Sequence, residues 1–171
     1  MPLDREDLLA FLQAVDRELE REIVLVAVGG TAMTLLDVKP STIDIDFTVP
    51  GEDYDEFQRA LRGVPHGFKI DCWKDGKVFS QLLPEDYLEK SVVVAEMKSV
   101  ELRALQPVDI VATKIGRLNE KDEQDIEACI RKFGLKGKQI VERASQVDYV
   151  GRDENYKYHL RLVMEKFFRK K

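Results

Sequence analysis

Two glycines near the start of the chain could bind a phosphate group. Gly29 and Gly30, followed by Thr31, lie between an apolar run of strand length at residues 23–28 and a stretch of helical composition at residues 31–36. Glycine lets the backbone turn tightly and approach a ligand, and the first amides of a helix are unpaired donors with partial positive charge. This arrangement is suited to a triphosphate.

Two carboxylates follow, thirteen residues after the second glycine. Asp44 and Asp46 alternate with three apolar residues, Ile43, Ile45 and Phe47. On a strand, the carboxylates would project from one face and the apolar side chains into a core. Neighbouring carboxylates raise each other's pKa unless a cation neutralises them, and Mg²⁺ or Mn²⁺ is the expected partner. An isolated Asp-x-Asp pair is more often a solvated face, but this order and spacing favour a functional site.

These motifs resemble the signature of the nucleotidyltransferase superfamily, which shares the fold of DNA polymerase β. The matching residues are Val28-Gly29-Gly30 and Asp44-Ile45-Asp46-Phe47, with thirteen residues between them. Thr42 is similar to a threonine common in the branch that contains AbiE-type toxins and uncharacterised prokaryotic relatives. Residues 114–117 and 121–126 resemble two later motifs of that branch. One departure is Thr31, where many active members carry serine, but threonine keeps the hydroxyl.

The resemblance implies an enzyme that transfers a nucleoside monophosphate from an NTP, such as ATP, to a hydroxyl and releases pyrophosphate. Asp44 and Asp46 would hold two Mg²⁺ ions. Two metal ions can clamp an in-line displacement, one activating the attacking hydroxyl and the other steadying the leaving group. Gly29, Gly30 and Thr31 would bind the β and γ phosphates.

The superfamily usually has a third carboxylate on the strand that follows Asp-x-Asp. Asp71 supplies it if Phe68, Ile70 and Cys72 face the core, because Asp71 then lies on the opposite face. An exposed, charged strand face is the alternative. Glu96, in the apolar strand at residues 92–97, is the other candidate for the third carboxylate.

Basic and acidic residues of the second half complete the set that the resemblance implies. Lys114 and Arg117 are three residues apart and would share a helix face, which without the resemblance would be a solvated basic edge. Lys114 becomes a candidate triphosphate ligand with Arg117 beside it. Asp122 and Asp125 are candidates to orient Lys114, and Thr42 is a further candidate to support the site.

The order of elements predicts an α+β protein with a small mixed β-sheet and helices. We expect residues 1–106 to form the nucleotidyltransferase core and residues 107–171 an all-helical C-terminal part packed on it. Pro107 suits the first turn of a helix that runs to about Leu118, and Gly134 suits the end of the next one. Strands are predicted at residues 23–28, 43–47, 68–73, 91–97 and 100–105.

Bulk composition limits the function. The net charge of −5 over 171 residues argues against a general nucleic-acid coat, but not against a local basic groove. The basic C-terminal residues Arg161, Lys166, Arg169, Lys170 and Lys171 could meet RNA phosphates, or could form a solvated helix end. A charged fraction of 35% with two Asn is typical of thermophile proteins. No apolar run reaches membrane-spanning length, so we expect a cytoplasmic protein without a membrane partner.

The sequence leaves the acceptor and the activity of the site open. A tRNA end, a protein hydroxyl or a small molecule would each fit the resemblance. A catalytically silent binding module of a toxin-antitoxin-like pair could retain the same fold, with an antitoxin-like protein partner or a homodimer. A glycosyltransferase of the Asp-x-Asp type is a weaker alternative, because this short chain offers no evident sugar-nucleotide domain.

Overall fold

The computed structural model describes residues 1–169. Its helices are α1 (Arg5–Glu18), α2 (Gly29–Leu35), α3 (Gly51–Arg62), α4 (Tyr87–Lys90), α5 (Pro107–Ile115), α6 (Glu120–Phe133), α7 (Gly137–Ala144) and α8 (Asp153–Phe168). Its strands are β1 (Ile23–Ala27), β2 (Ile45–Val49), β3 (Ile70–Lys74), β4 (Lys77–Val78), β5 (Gln81–Leu82), β6 (Val92–Glu96), β7 (Val100–Ala104) and β8 (Asp148–Tyr149). Across residues 1–169, every helix is too short or too polar to span a bilayer.

The main sheet has five strands in the order β3-β2-β1-β7-β6. Strands β1 and β7 are parallel, as are β2 and β3, whereas β1 with β2 and β6 with β7 are antiparallel. Strand β2 is buried along its whole length, and β1 is nearly so, as expected for apolar strands covered on both faces. The α+β class and the mixed sheet predicted from the sequence are confirmed.

The register between β2 and β3 places two of the predicted carboxylates side by side. Asp46 pairs with Asp71 across the parallel ladder, next to the pair formed by Phe47 and Cys72. Paired residues on adjacent strands lie on the same face of a sheet, about 4.8 Å apart. The alternation expected for β3 is therefore observed, with Phe68, Ile70 and Cys72 packed against the core.

Ile43 differs from its sequence-based expectation. It is 61% exposed rather than buried in the core. Strand β2 begins at Ile45, and Thr42 forms an isolated bridge with Leu3 instead of extending that strand. The strict alternation of a strand therefore reaches neither Ile43 nor Asp44, and Asp44 lies in the segment before β2 rather than on the strand with Asp46.

The C-terminal part is mostly helical, but it also contributes a strand. Strand β8 pairs antiparallel with β5, which pairs with β4 from the first half of the chain. The expectation of an all-helical C-terminal part is therefore wrong in this detail. Strand β8 has only two residues, too few to show an alternating pattern in the sequence. Its pairing depends on the β4–β5 hairpin, more than sixty residues earlier in the chain. Lys170 and Lys171 of the predicted basic tail lie outside the described residues.

Candidate active site

The first turn of α2 lies directly against the carboxylate strand. Gly29 has a φ of 53°, which favours glycine, and a Cβ there would lie 3.7 Å from the Asp46 Oδ2 atom. A Cβ at Gly30 would lie 2.9 Å from the Thr42 Oγ1 atom, closer than real Cβ contacts allow. Gly30 therefore permits the close approach of α2 to the chain leading into β2, and Gly29 permits the left-handed backbone at the helix start. At a helix start, the N–H groups of Gly29, Gly30 and Thr31 have no acceptor within the helix.

The hydroxyl groups of two threonines hold this junction together. The Thr31 hydroxyl donates to the Asp44 carbonyl at 3.1 Å and accepts from the Asp46 N–H at 2.9 Å. The Thr42 hydroxyl donates to the same Asp44 carbonyl at 2.9 Å. Thr31 is fully buried, so its side chain fixes the backbone of both aspartates, while its N–H remains the group that could meet a phosphate. Both contacts use the hydroxyl group that threonine and serine have in common.

Asp46 is a buried carboxylate that the protein does not satisfy. Its exposed fraction is 8%, and no hydrogen-bond donor within residues 1–169 reaches its buried Oδ1 atom. Burial raises the pKa of Asp46 to about 6, and the charges of Asp71 and Asp44 add to the rise. The ammonium groups of Lys69 and Lys114 oppose it. Leaving a buried acceptor unpaired is costly, so this atom needs an explanation.

A divalent cation fits the unsatisfied oxygen. A cation would pair with Asp46 Oδ1 and offset the mutual repulsion of Asp44, Asp46 and Asp71. Within residues 1–169, no three His, Cys, Asp or Glu side chains are grouped closely enough to hold a metal ion by themselves. Mg²⁺ is commonly bound by one or two carboxylates together with substrate phosphates, so the donor set fits an ion that arrives with a nucleotide.

Asp71, the predicted third carboxylate, has a basic neighbour. The Lys69 Nζ lies 3.3 Å from the Asp71 Oδ2, an ion pair between the residue that precedes β3 and a residue of that strand. Asp71 is only partly buried, and it lines the same cavity as Asp44 and Asp46. Glu96, the alternative third carboxylate, is on β6 at the opposite edge of the sheet, three strands from β2. At about 4.8 Å per strand, this places Glu96 far outside contact with Asp46.

Lys114 is held at the site by two acidic residues of α6. Its Nζ lies 2.9 Å from the Asp125 Oδ2 and 3.7 Å from the Asp122 Oδ1. Lys39, which the sequence analysis did not single out, approaches Asp125 from another side at 3.3 Å. Lys114 is 8% exposed, because α6 packs over the end of α5. The contacts are those expected if Asp122 and Asp125 orient the lysine.

Arg117 also lies at the site, but it is not on the helix face where it was expected. Helix α5 ends at Ile115, so Arg117 lies in the turn before α6 rather than on a shared helix face. Its guanidinium donates two hydrogen bonds to Asp122, at 2.8 and 2.9 Å. Burial alone would raise the pKa of Asp122, but these bonds and the charge of Lys114 hold that pKa below its usual range. Asp122 is therefore a charged anchor for Lys114 and Arg117.

Two adjoining cavities open on this site. The first, which we name the carboxylate cavity, has a volume of about 260 Å³ and contains Asp44, Asp46, Asp71, Gly29 and Lys114 in its lining. The second, named the hairpin cavity, has a volume of about 320 Å³ and lies between the β4–β5 loop, β8 and the α5–α6 turn. The two cavities share four lining residues, Gly29, Phe79, Lys114 and Arg117. A ligand longer than either cavity could occupy both.

Several residues that line the two cavities lie outside any sequence motif and were not predicted. Phe79 lies in the β4–β5 loop and Lys39 in the segment before Thr42, and neither falls in a recognised pattern. Tyr149 reaches the hairpin cavity because β8 pairs with β5. Each depends on long-range contacts rather than on local spacing.

A mixed sheet with paired aspartates on adjacent parallel strands, facing a glycine-started helix and a buried lysine, has the layout of a nucleotidyltransferase. Residues 6–165 match the family described as "Nucleotidyltransferase of unknown function (DUF6036)". The chain therefore belongs to this nucleotidyltransferase family. No curated protein matches the sequence.

Solved structures of a nucleotidyltransferase share the fold. The solution structure of the antibiotic-resistance factor ANT(2'')-Ia has a TM-score of 0.56 and 13% identity, covering 82% of this chain and 91% of that one. The crystal structure of ANT(2'')-Ia in complex with adenylyl-2''-tobramycin has a TM-score of 0.52 and 13% identity, covering 95% and 98%. At this identity the likeness concerns the fold alone.

Proposed function

We propose that this protein is a metal-dependent nucleotidyltransferase that transfers a nucleoside monophosphate from an NTP to a hydroxyl of RNA, a protein or a small molecule, with release of pyrophosphate. The observation that carries the proposal is the buried, unpaired Oδ1 of Asp46 beside Asp71, in a cavity that also contains Gly29 and Lys114. An unsatisfied carboxylate in such a place is costly unless a ligand completes it.

The residues of the carboxylate cavity divide into two groups. Asp44, Asp46 and Asp71 would hold divalent ions, with two Mg²⁺ as the expected set and Mn²⁺ as an alternative. Bound there, the ions would neutralise the triphosphate and lower the pKa of the attacking hydroxyl. The free N–H groups at the start of α2 and the Lys114 ammonium would bind the β and γ phosphates, with Arg117 as a second cation.

The transfer itself is a displacement at the α phosphorus. The acceptor hydroxyl oxygen would form a bond to that phosphorus while the bond to the β-phosphate oxygen breaks and pyrophosphate leaves. Asp71, on the more exposed side of the cavity, would accept the hydroxyl proton or position that hydroxyl. Lys114, held by Asp125 at 2.9 Å, would stabilise charge that develops on the leaving phosphates.

The acceptor is the least constrained part of the proposal. The crystallised ANT(2'')-Ia contains adenylyl-2''-tobramycin, an adenylylated small molecule, which makes a small-molecule hydroxyl one arm of the test. RNA, including tRNA, and protein hydroxyls form the other arms.

Incubation with each α-³²P-labelled NTP tests the function. The protein would be mixed with Mg²⁺ or Mn²⁺ and, in separate reactions, with total RNA, cell lysate protein or an aminoglycoside panel, and the labelled product would be separated. We expect label on one acceptor class with the wild type and none with Asp46→Asn. Absence of both transfer and NTP binding, measured by calorimetry with Mg²⁺, would contradict the proposal and favour the silent binding module.

A further inference from the structure

Phe79 occupies a backbone position that suits another residue. It is the first of two residues in the loop between β4 and β5, because Val78 pairs with Gln81. Its φ is 53°, in the left-handed region, where a bulky side chain is strained. Glycine, asparagine or aspartate is preferred at positive φ in such loops. The conformation of the loop therefore does not explain a phenylalanine.

Burial does not explain Phe79 either. The side chain is 46% exposed. Its ring centroid lies 4.8 Å from that of Trp73, and the Arg117 guanidinium lies 5.7 Å from its centroid. These contacts fix the ring in place without covering it. A residue that is both strained and exposed beside a candidate site is one that function can explain.

Phe79 lies at the junction of the two cavities. Phe79 lines the carboxylate cavity and also the hairpin cavity, which has about 320 Å³ and includes Tyr149 and Gln81 in its wall. A Cβ at Gly116 would collide with the Gln81 side chain, so glycine allows the α5–α6 turn to close this wall against β5. A volume of this size is at the lower end of the range for small-molecule sites.

We propose that the Phe79 ring is the platform on which the nucleobase of the bound NTP stacks, with the base in the hairpin cavity and the phosphates in the carboxylate cavity. This inference rests on the proposed function. In this placement, a nucleotide whose phosphates contact Gly29 and Lys114 directs its base past the residues that line both cavities, and Phe79 is the aromatic one among them. Stacking on an aromatic ring is available to every base.

Arg117 adds a second planar group to the platform. Its guanidinium is held by the two hydrogen bonds that it donates to Asp122, and it lies over the Phe79 ring. Guanidinium groups stack on flat aromatic ligands as well as pairing with anions. Arg117 therefore meets the nucleotide at the junction between phosphate and base, and Phe79 meets the base alone.

Binding measurements with and without a base test this inference. Dissociation constants would be measured for ATP, GTP, CTP, UTP and inorganic tripolyphosphate, each with Mg²⁺, for the wild type, Phe79→Leu and Phe79→Trp. Phe79→Leu should weaken binding of at least one NTP by about 5-fold to 100-fold, the usual range for loss of a stacked base. Tripolyphosphate, which has no base, should bind equally to all three proteins. Phe79→Trp should keep NTP affinity.

Phe133→Leu is the matched control, because Phe133 is another partly exposed phenylalanine, at the end of α6. It should leave every dissociation constant unchanged, and thermal unfolding should show that each variant folds. Unchanged NTP affinity in Phe79→Leu would overturn the inference, as would an equal loss for tripolyphosphate. Slower transfer with intact NTP affinity would assign Phe79 to the acceptor instead. The inference would also be overturned if the wild type bound no NTP more tightly than it binds tripolyphosphate, because the base would then add no affinity.

The two proposals fail in distinguishable ways. If Phe79→Leu changes nothing while Asp46→Asn abolishes transfer, the base site is wrong and the proposed function stands. If the wild type binds no NTP at all, both are wrong.

Discussion

Two buried aspartates in this protein have opposite surroundings. Asp109, in the first turn of α5, is fully buried and receives two hydrogen bonds from Arg143, one of them at 3.0 Å. The same guanidinium donates to Asp86 at 2.8 Å. Asp46 is almost as buried, yet no donor within the described residues reaches its Oδ1.

The contrast separates a structural charge from a functional one. A buried ion pair with complete hydrogen bonds is tolerated, and it links α5, α7 and the loop before α4 through Asp109, Arg143 and Asp86. A buried carboxylate without a partner raises the free energy of the folded state. Asp46 faces a cavity rather than a partner, and in the proposed function a divalent cation completes it. Burial by itself therefore does not mark the site, whereas burial without satisfaction does.

The strongest test of the contrast is removal of the charge at Asp46. We expect Asp46→Asn, and likewise Asp44→Asn, to reduce nucleotide transfer to background, because each change removes a proposed metal ligand. Thermal stability in EDTA should hold or rise slightly, since one of three repelling carboxylates is neutralised. Transfer rates and melting temperatures measured on the same preparations decide it. Substantial transfer by both variants would sink the assignment.

The next largest effect concerns the third carboxylate. Asp71→Asn should lower turnover by roughly 10² to 10⁴ and leave NTP affinity nearly intact, because contact with the acceptor proton matters mainly in the transition state. Glu96→Gln is the matched control, at the other edge of the sheet, and its effect should be mild. Single-turnover rates and separate NTP titrations measure the two quantities. An inert Asp71→Asn beside an inactive Glu96→Gln would show that the wrong carboxylate was chosen.

Asp109, the aspartate that forms an ion pair with Arg143, should respond to removal of its charge in the opposite way to Asp46. Asp109→Asn leaves the buried Arg143 guanidinium with the partly exposed Asp86 as its remaining charged partner, and we expect a loss of about 3 kcal/mol in the free energy of unfolding. Urea denaturation measures it. Glu123→Gln serves as the control, because it breaks the exposed ion pair with Lys166 and should produce no measurable loss. A stability for Asp109→Asn equal to the wild type would remove the distinction between the two aspartates.

The pH dependence of stability gives the finest comparison. The pKa of Asp46 is raised from an ordinary 3.8 to about 6, so between these values the folded state binds a proton more readily than the unfolded state. The contribution of Asp46 to stability is therefore present at low pH and is lost as the pH rises through about 6.

The measurement compares unfolding free energies of Asp46→Asn and wild type from pH 4 to pH 7 in EDTA. The advantage of the variant should grow over this window, because asparagine does not titrate. A constant difference between the two proteins would contradict a raised pKa, whatever the activity results show.

Local spacing was sufficient to predict part of the site. The glycines at 29 and 30, the Asp44 and Asp46 pair and the alternation that brings Asp71 onto the face of Asp46 are all short-range patterns. The roles assigned to these residues remain predictions. The strand register that pairs Asp46 with Asp71 was not predicted, because it depends on the pairing of β2 with β3.

Other features could not be predicted from spacing. Arg117 was placed on a helix face, but α5 ends at Ile115 and leaves it in a turn, where its pairing with Asp122 fixes it instead. Ile43 was placed in the core, but β2 begins after it. Both errors arise at element ends, where side-chain contacts with other elements decide whether a regular backbone continues.

The sequence by itself determined the family, the mixed sheet and the candidate carboxylates, because these depend on apolar periodicity and on residue types at fixed spacing. Only the tertiary structure decided that Asp46 Oδ1 lacks a donor, that Phe79 joins two cavities, and that Glu96 lies three strands away from the site. The physical reason is that hydrogen-bond satisfaction, burial and cavity shape come from contacts between segments distant in the chain. Spacing along the chain does not encode those contacts locally.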